Sequence, residues 1–306
     1  MSPTTILNSL LENKKIAANS RDIIHFLSVE LGERIIGPSG TLDRARDYII
    51  SRFTEQGSRP SLEEYRVNGH KVANIVCEIP GTENPDQILL IGAHYDTIEG
   101  TPGADDNASA IAGLLEMHRL LSEEKYKKTL RFVAFTLEEP PFFSSDDMGS
   151  MHHAKKCKKR RDNIELMICL EMLGYGGKNV NQNFPLEELK NRCPKGADYL
   201  VVVSLPSSAE YAYLWKRLYN ANTKKPIYEL IGPNSIPGIG FSDHYSFNKQ
   251  GYPNIMLTDT AFYRNKNYHT ENDTIDTINF KFLAENIFSS YLAVRELANL
   301  GKLLDS

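Results

Sequence analysis

QILLIGAHYDT, residues 87–97, is the stretch that decides the fold. Gln87 to Ala93 form an almost unbroken apolar run, and the run ends by delivering His94 and Asp96. A short apolar run without polar alternation is the pattern of a strand buried on both faces, as in a parallel sheet covered by helices. Five further runs read the same way: 73–79 (ANIVCEI), 130–137 (LRFVAFTL), 166–170 (LMICL), 200–204 (LVVVS) and 253–258 (PNIMLT). Helical patterns lie between them at 41–56, 107–122, 147–161, 208–222 and 279–300, with a further helical segment over about residues 1–30. Thr41 is placed to cap the helix at 41–56 and Gly57 to stop it. Strands alternating with helices predict one domain over 1–306, a three-layer α/β/α sandwich around a central mixed, largely parallel twisted sheet. The Gly/Asn-rich stretch 174–199 lacks a pattern and reads as a long surface loop bordering the site.

Composition narrows the function. The 306 residues carry 35 Lys and Arg against 39 Asp and Glu, a net charge of −4 that gives no global attraction to nucleic acid or to an anionic membrane. Hydrophobic residues are 41% and charged residues 24%, ordinary for a folded enzyme-sized domain. No apolar run approaches the roughly 18 residues that span a bilayer. The first residues, MSPTTILNSLLENKK, have no basic segment followed by an apolar one. The chain as given therefore reads as cytoplasmic, although a trimmed exported precursor with an added Met1 reads identically. Cys77, Cys157, Cys169 and Cys193 contain no CxxC pair and form no disulfide framework.

In such folds ligands gather at the carboxyl ends of the strands. There the sequence places His94 after the run 87–93, the pair Glu138-Glu139 after 130–137, and Glu171 after 166–170. Asp105 lies in a Gly-containing loop that opens the helix at 107, and Tyr268-His269 arrives near the C-terminus. Each alone is weak, since a strand-end acid or histidine is commonly structural. Together they supply two imidazoles, three carboxylate ligands and one spare carboxylate, an inventory that suits a two-metal hydrolytic site. Nitrogen and oxygen donors without thiolate fit zinc, with manganese or cobalt as alternatives. The absence of GxSxG, HExxH, a Walker loop and GxGxxG removes the commoner catalytic anchors.

Five ordered blocks carry a specific resemblance: HYDT (94–97), PGADDNAS (102–109), LEEPPFF (137–143) with MGS (148–150), CLEMLGY (169–175) and YHTENDT (268–274). Over nearly the whole chain, from about Glu33 to the last helix, the sequence resembles zinc aminopeptidases of the aminopeptidase-Y and bacterial leucyl aminopeptidase type. Its EEPPFF block resembles a bacterial branch. The resemblance implies two Zn2+ per chain, one held by His94 and Glu171, the other by Glu139 and His269. It implies that Asp105 bridges them, with a cis peptide to Asp106. Glu138 would be the general base, Tyr268 would steady the oxyanion, and Asp96 would fix the His94 tautomer. Many relatives have Asp where this chain has Glu171.

Other features have plainer readings. Six basic residues in 155–161 close a helix and read as a solvated helix end. His152 and His153 are adjacent on that helix and read as surface residues. Asn272-Asp273-Thr274 matches a glycosylation sequon without arguing for secretion. In 236–248 (IPGIGFSDHYSFN), Phe241, Tyr245 and Phe247 suit a partly aromatic side-chain pocket or the core equally. Asp243 and His244 are candidates for substrate-side hydrogen bonds.

The expected function is release of a neutral or apolar N-terminal residue from peptide substrates, with no nucleic-acid or membrane partner. A single-zinc glutaminyl cyclase-like enzyme shares the fold and much of the ligand set, and a catalytically inactive binding relative is the alternative outside enzymes. Zinc per chain separates the three: about two, one or none.

Overall fold

The apolar runs are long because both faces of the sheet are covered. The computed structural model describes residues 3–223 and 225–304. Its strands are β1 (Ser61–Val67), β2 (His70–Ile79), β3 (Asn84–His94), β4 (Lys128–Phe135), β5 (Asn163–Glu171), β6 (Gly177–Asn181), β7 (Gly196–Ala197), β8 (Leu200–Ser204), β9 (Ile227–Ile231) and β10 (Asn254–Thr258). Its helices are α1 (Pro3–His25), α2 (Thr41–Glu55), α3 (Ala110–Leu121), α4 (Gly149–Arg160), α5 (Glu187–Arg192), α6 (Ala209–Asn222), α7 (His244–Lys249) and α8 (Phe280–Asn299). Eight strands form one sheet in the order β1-β2-β4-β3-β5-β10-β8-β9. The central run β4-β3-β5-β10 is parallel, β8 pairs parallel with β9, and the joins at β1-β2, β2-β4 and β10-β8 are antiparallel.

Successive residues of a strand point to opposite faces. On one side Leu89 and Ile91 of β3, Leu166 and Ile168 of β5 and Ile255 of β10 join a core shared with α1, α2, α3, α6 and α8. On the other, Leu90, Met167 and Met256 pack with residues of α4, α5 and α7. Two cores on two faces make three layers, so the α/β/α sandwich is what forms. Among the described residues no helix is long and apolar enough to cross a membrane.

Register aligns the strand ends. His94 sits opposite Phe135, and Thr258 opposite Glu171, so β3, β4, β5 and β10 finish at one level. This shared edge positions the site.

Several local expectations are corrected. Thr41 does not cap α2; it is the first helical residue, and Gly40, at φ +64°, occupies the cap without a side-chain bond. Gly57 does end that helix, at φ +81° with its N–H on the Thr54 carbonyl. The helical N-terminal segment is, over its described part, α1 followed by a π-helical turn, Phe26–Leu31. The stretch 174–199 is more than a loop: β6 and β7 pair antiparallel, and α5 buries Leu189. His153 is not a surface residue. It lies on the buried face of α4 with Ser150, Ala154 and Cys157, and its Nδ1 meets Glu63 Oε2 at 2.7 Å. Neighbours on a helix diverge by about 100°, so His152 falls at the margin instead, stacked on Tyr65 with centroids 4.2 Å apart. All four cysteines are free and buried.

Candidate metal centre and cleft

His94 is the last residue of β3 and Glu171 the last of β5. Glu138 and Glu139 follow β4, and their backbone N–H groups donate to the two oxygens of Asp96, at 3.1 and 3.0 Å. One carboxylate therefore pins the turn that presents both glutamates. Asp96 Oδ1 also lies 3.5 Å from His94 Nδ1, a nitrogen with no other partner.

The loop before α3 is the second such turn. Asp106, and not Asp105, stands between the imidazoles: its Oδ1 is 3.4 Å from His94 Nε2 and its Oδ2 3.3 Å from His269 Nε2. The bridging position expected of Asp105 is thus taken by its neighbour, and the cis peptide lies one step on, between Asp106 and Asn107. Asp105 points away because its oxygens are already engaged, accepting from the Gly174 N–H at 2.8 Å and Asn265 Nδ2 at 2.9 Å. Asp273 holds the backbone of both residues, each of its oxygens accepting one N–H at 3.0 Å. Gly103 enters this loop at φ +61°, where a Cβ would lie 2.4 Å from the Asp106 carbonyl oxygen.

Two groups of donors result. Around His94 Nε2 lie Asp106 Oδ1 and Glu171 Oε2, each 3.4 Å away. Around His269 Nε2 lie Asp106 Oδ2 at 3.3 Å and Glu139 Oε2 at 3.2 Å. Donors about 2.0–2.1 Å from a tetrahedral zinc stand roughly 3.3 Å from one another, so both spacings fit such an ion. Asp106 Oδ1 is buried without a hydrogen-bond donor. Donor atoms of His94, Asp106 and Glu139 also gather within 4.8 Å.

The electrostatics ask for cations. Asp96, Asp106, Glu138, Glu139 and Glu171 are all buried, with two imidazoles among them. Burial raises the Glu138 carboxyl well above its ordinary range; His94 opposes the shift, while Glu139 and Glu171 add to it. Burial, with repulsion from Asp106, pushes Glu139 up to about 7. Burial works against a charged His269, yet its hydrogen bonds to Asp106 and Glu139 raise it to about 10. Asp106 is held below the usual range despite burial, because both imidazoles bind it. In the protein without metal, protons on the histidines supply the charge that dications would otherwise bring.

Glu138, Glu139, Asp106, Glu171, His269, Tyr268 and Phe143 line an open cleft. Tyr268 stacks on His269 with centroids 3.7 Å apart. Beside the cleft, behind Glu171 and Tyr268, a cavity of mainly apolar lining runs in past Phe184, Val203, Leu230 and Met256. Of the aromatics in 236–248, Phe241 lines both spaces, whereas Phe247 is core. Asp243 and His244, expected on the substrate side, line neither the cleft nor the cavity. Both are fully buried, and His244 Nε2 is bonded to the Ile239 carbonyl at 2.7 Å.

Several site residues escaped sequence reading. Ser242 donates to Glu171 Oε2 at 2.6 Å. Arg34, fully buried, donates to the carbonyls of Tyr95, Pro102 and Gly103 and ties the two metal-side loops together. Asp273 had a signal, an acid four residues after His269, but the sequon reading obscured it.

A model of peptidase family M28 matches residues 74–291. The chain belongs to this family. As a family M28 protein it is a zinc-dependent peptidase. It is 36% identical over 271 residues to the uncharacterized protein YfbL of Escherichia coli, covering 86% of this chain and 82% of that one. It is 24% identical over 240 residues to the probable aminopeptidase YDR415C of Saccharomyces cerevisiae, covering 74% of this chain and 57% of that longer relative. The fold matches BSAP, a zinc aminopeptidase from Bacillus subtilis, with a TM-score of 0.75 at 16% identity, over 92% of this chain and 95% of the other. A glutaminyl cyclase of Fimbriiglobus ruber shares it at a TM-score of 0.67 and 16% identity, over 91% of this chain and 95% of the other.

Proposed function

We propose that this family M28 chain is a di-zinc aminopeptidase that removes neutral or apolar N-terminal residues from peptides. The observation that carries the reading is Asp106, whose two oxygens face two separate imidazoles at 3.4 and 3.3 Å. His94 and Glu171 would hold one ion, His269 and Glu139 the other, and Asp106 would belong to both. Ions so held make a water nucleophilic near neutral pH and polarise a carbonyl.

The remaining work falls to side chains. Glu138 lines the cleft and has a raised affinity for protons. It takes a proton from the attacking water and passes it to the leaving nitrogen, as a general base that becomes a general acid. Tyr268 faces the same cleft with its phenol kept protonated by burial and nearby carboxylates, and donates to the developing oxyanion. Asp96 orients His94 and holds the glutamate turn. The apolar cavity accepts the first side chain.

The test is zinc analysis of purified protein, paired with leucine release from leucyl peptides and cyclisation of N-terminal glutaminyl peptides. About two zinc ions and leucine release support the reading. One zinc with cyclisation would make it a cyclase, and no zinc with neither reaction an inactive relative.

A further inference from the structure

The walls of the cleft are unequal. Glu171, Phe241, Phe262 and Tyr268 line both the cleft and the apolar cavity, so they form the passage between the two. Pro140 and Phe143 line the cleft alone, beyond Glu138 and Glu139. On the aminopeptidase reading, on which this inference rests, the first side chain enters the cavity and the scissile carbonyl lies over the carboxylates. The peptide then has to leave along the wall that the cavity does not share.

That wall carries one aromatic ring, Phe143, set against the passage residue Phe241. Phe143, half-buried, meets Phe241 edge-on, with ring centroids 5.9 Å apart and planes at 73°. Phe241 is 45% exposed, and Phe262, 6.3 Å farther on, is 37% exposed. Exposed aromatic rings joined in a corner beside a catalytic cleft have no core to serve and mark a binding surface. Among the described residues the cleft is lined by no Lys or Arg, so an acidic side chain laid against these rings would lose hydration without gaining a cationic partner.

We propose that Phe143 and Phe241 form a subsite for the side chain of the second residue, selecting apolar or aromatic residues and rejecting acidic ones. Phe143 is its selective member, because Phe241 also serves the cavity for the first residue. One aromatic contact of this geometry is worth up to about tenfold in selectivity.

The experiment compares release of the first residue from Leu-Phe-Gly, Leu-Gly-Gly, Leu-Glu-Gly and Ala-Gly-Gly by the zinc-loaded protein and by F143A and F143L. The wild type is expected to favour Phe over Gly at the second position by about tenfold in kcat/KM, with Glu below Gly. F143A should bring the Phe/Gly ratio to within about twofold while the Leu/Ala ratio at the first position persists, and F143L should fall between. Equal rates for Phe and Gly in the wild type overturn the proposal. So does a Phe/Gly ratio unchanged in F143A, or a loss of selectivity at both positions together. Should F143A fail to fold, as judged by lost zinc and thermal transition, F143L decides: its ratio must lie below that of the wild type. Hydrolysis of none of the peptides by the wild type breaks the aminopeptidase reading itself, a result distinct from hydrolysis without second-residue preference.

Discussion

Two acidic doublets meet at the candidate metal centre, and the same backbone device holds both. Asp96 accepts the N–H groups of Glu138 and Glu139; Asp273 accepts those of Asp105 and Asp106. The outcomes differ. At the end of β4 both glutamates reach the cleft, so one is available as a ligand and the other as a base. In the loop before α3 only Asp106 reaches it, while Asp105 turns back onto Gly174 and Asn265. A carboxylate that clamps two successive amides fixes the backbone. Where each side chain goes is set by the partners waiting for it.

The largest effect tests this inequality. Asp106→Ala should lose both zinc ions and all measurable peptidase activity, since one side chain serves two sites. Asp105→Asn should keep both ions, because an amide still offers an acceptor to Gly174. Equal zinc loss in the two variants, measured by elemental analysis, would show that the doublet is not divided in this way. Next, Glu138→Gln should lower kcat by about 10²–10⁴-fold with zinc content intact. Glu139→Gln should instead lose one zinc and recover in part with excess metal. The reverse pairing of phenotypes would exchange base and ligand. A smaller effect should follow from loosening either clamp. Asp96→Asn or Asp273→Asn keeps the shape but turns one of the two accepting oxygens into an NH2 donor, so one clamp bond is lost and the other loses its charge, and zinc affinity should drop by about 10–100-fold. Unaltered zinc titration curves in both would mean that the turns hold without their carboxylates.

How far the sequence could foretell this depends on the physical signal at each place. Strands β3, β4, β5, β8 and β10 were legible because both of their faces are buried, which leaves unbroken apolar runs. The edge strands β1 and β9 were not. SLEEYRV exposes much of its length, and IYELI is five residues with an acid inside. His94, Glu139, Glu171 and His269 were legible as strand-end or motif residues. The choice between Asp105 and Asp106 was not, because adjacent acids in one loop differ only in a backbone path that spacing does not encode. Ser242 acts through one hydrogen bond across 71 positions of sequence, and Arg34 through bonds that span 61 to 69 positions, which no local pattern records.

The smallest expected effect concerns protons in the metal-free protein, where the doublets again differ. Asp106 stays ionised between its imidazoles, whereas Glu139 titrates near 7 and His269 near 10. The ordinary values of the last two are 4.5 and 6.5, so the folded state binds more protons than the unfolded chain across the interval up to each raised value. Stability from such groups is complete at low pH and is lost as pH rises through the folded value. Asp243, near 7, and Asp273, near 8, add to the trend, both raised chiefly by burial. His118 and His244, which burial lowers to about 4, are neutral in both states above pH 7 and do not oppose it. The melting temperature of metal-free protein should therefore fall by several degrees from pH 7 to 9. Zinc takes the place of the protons on Glu139 and His269, so the stabilisation it adds should widen over the same range. Calorimetry at the two pH values, with chelator and with excess zinc, measures both slopes. A metal-free protein that grows more stable toward pH 9 would mean that His269, Asp273 and Glu139 do not hold their protons as their surroundings require.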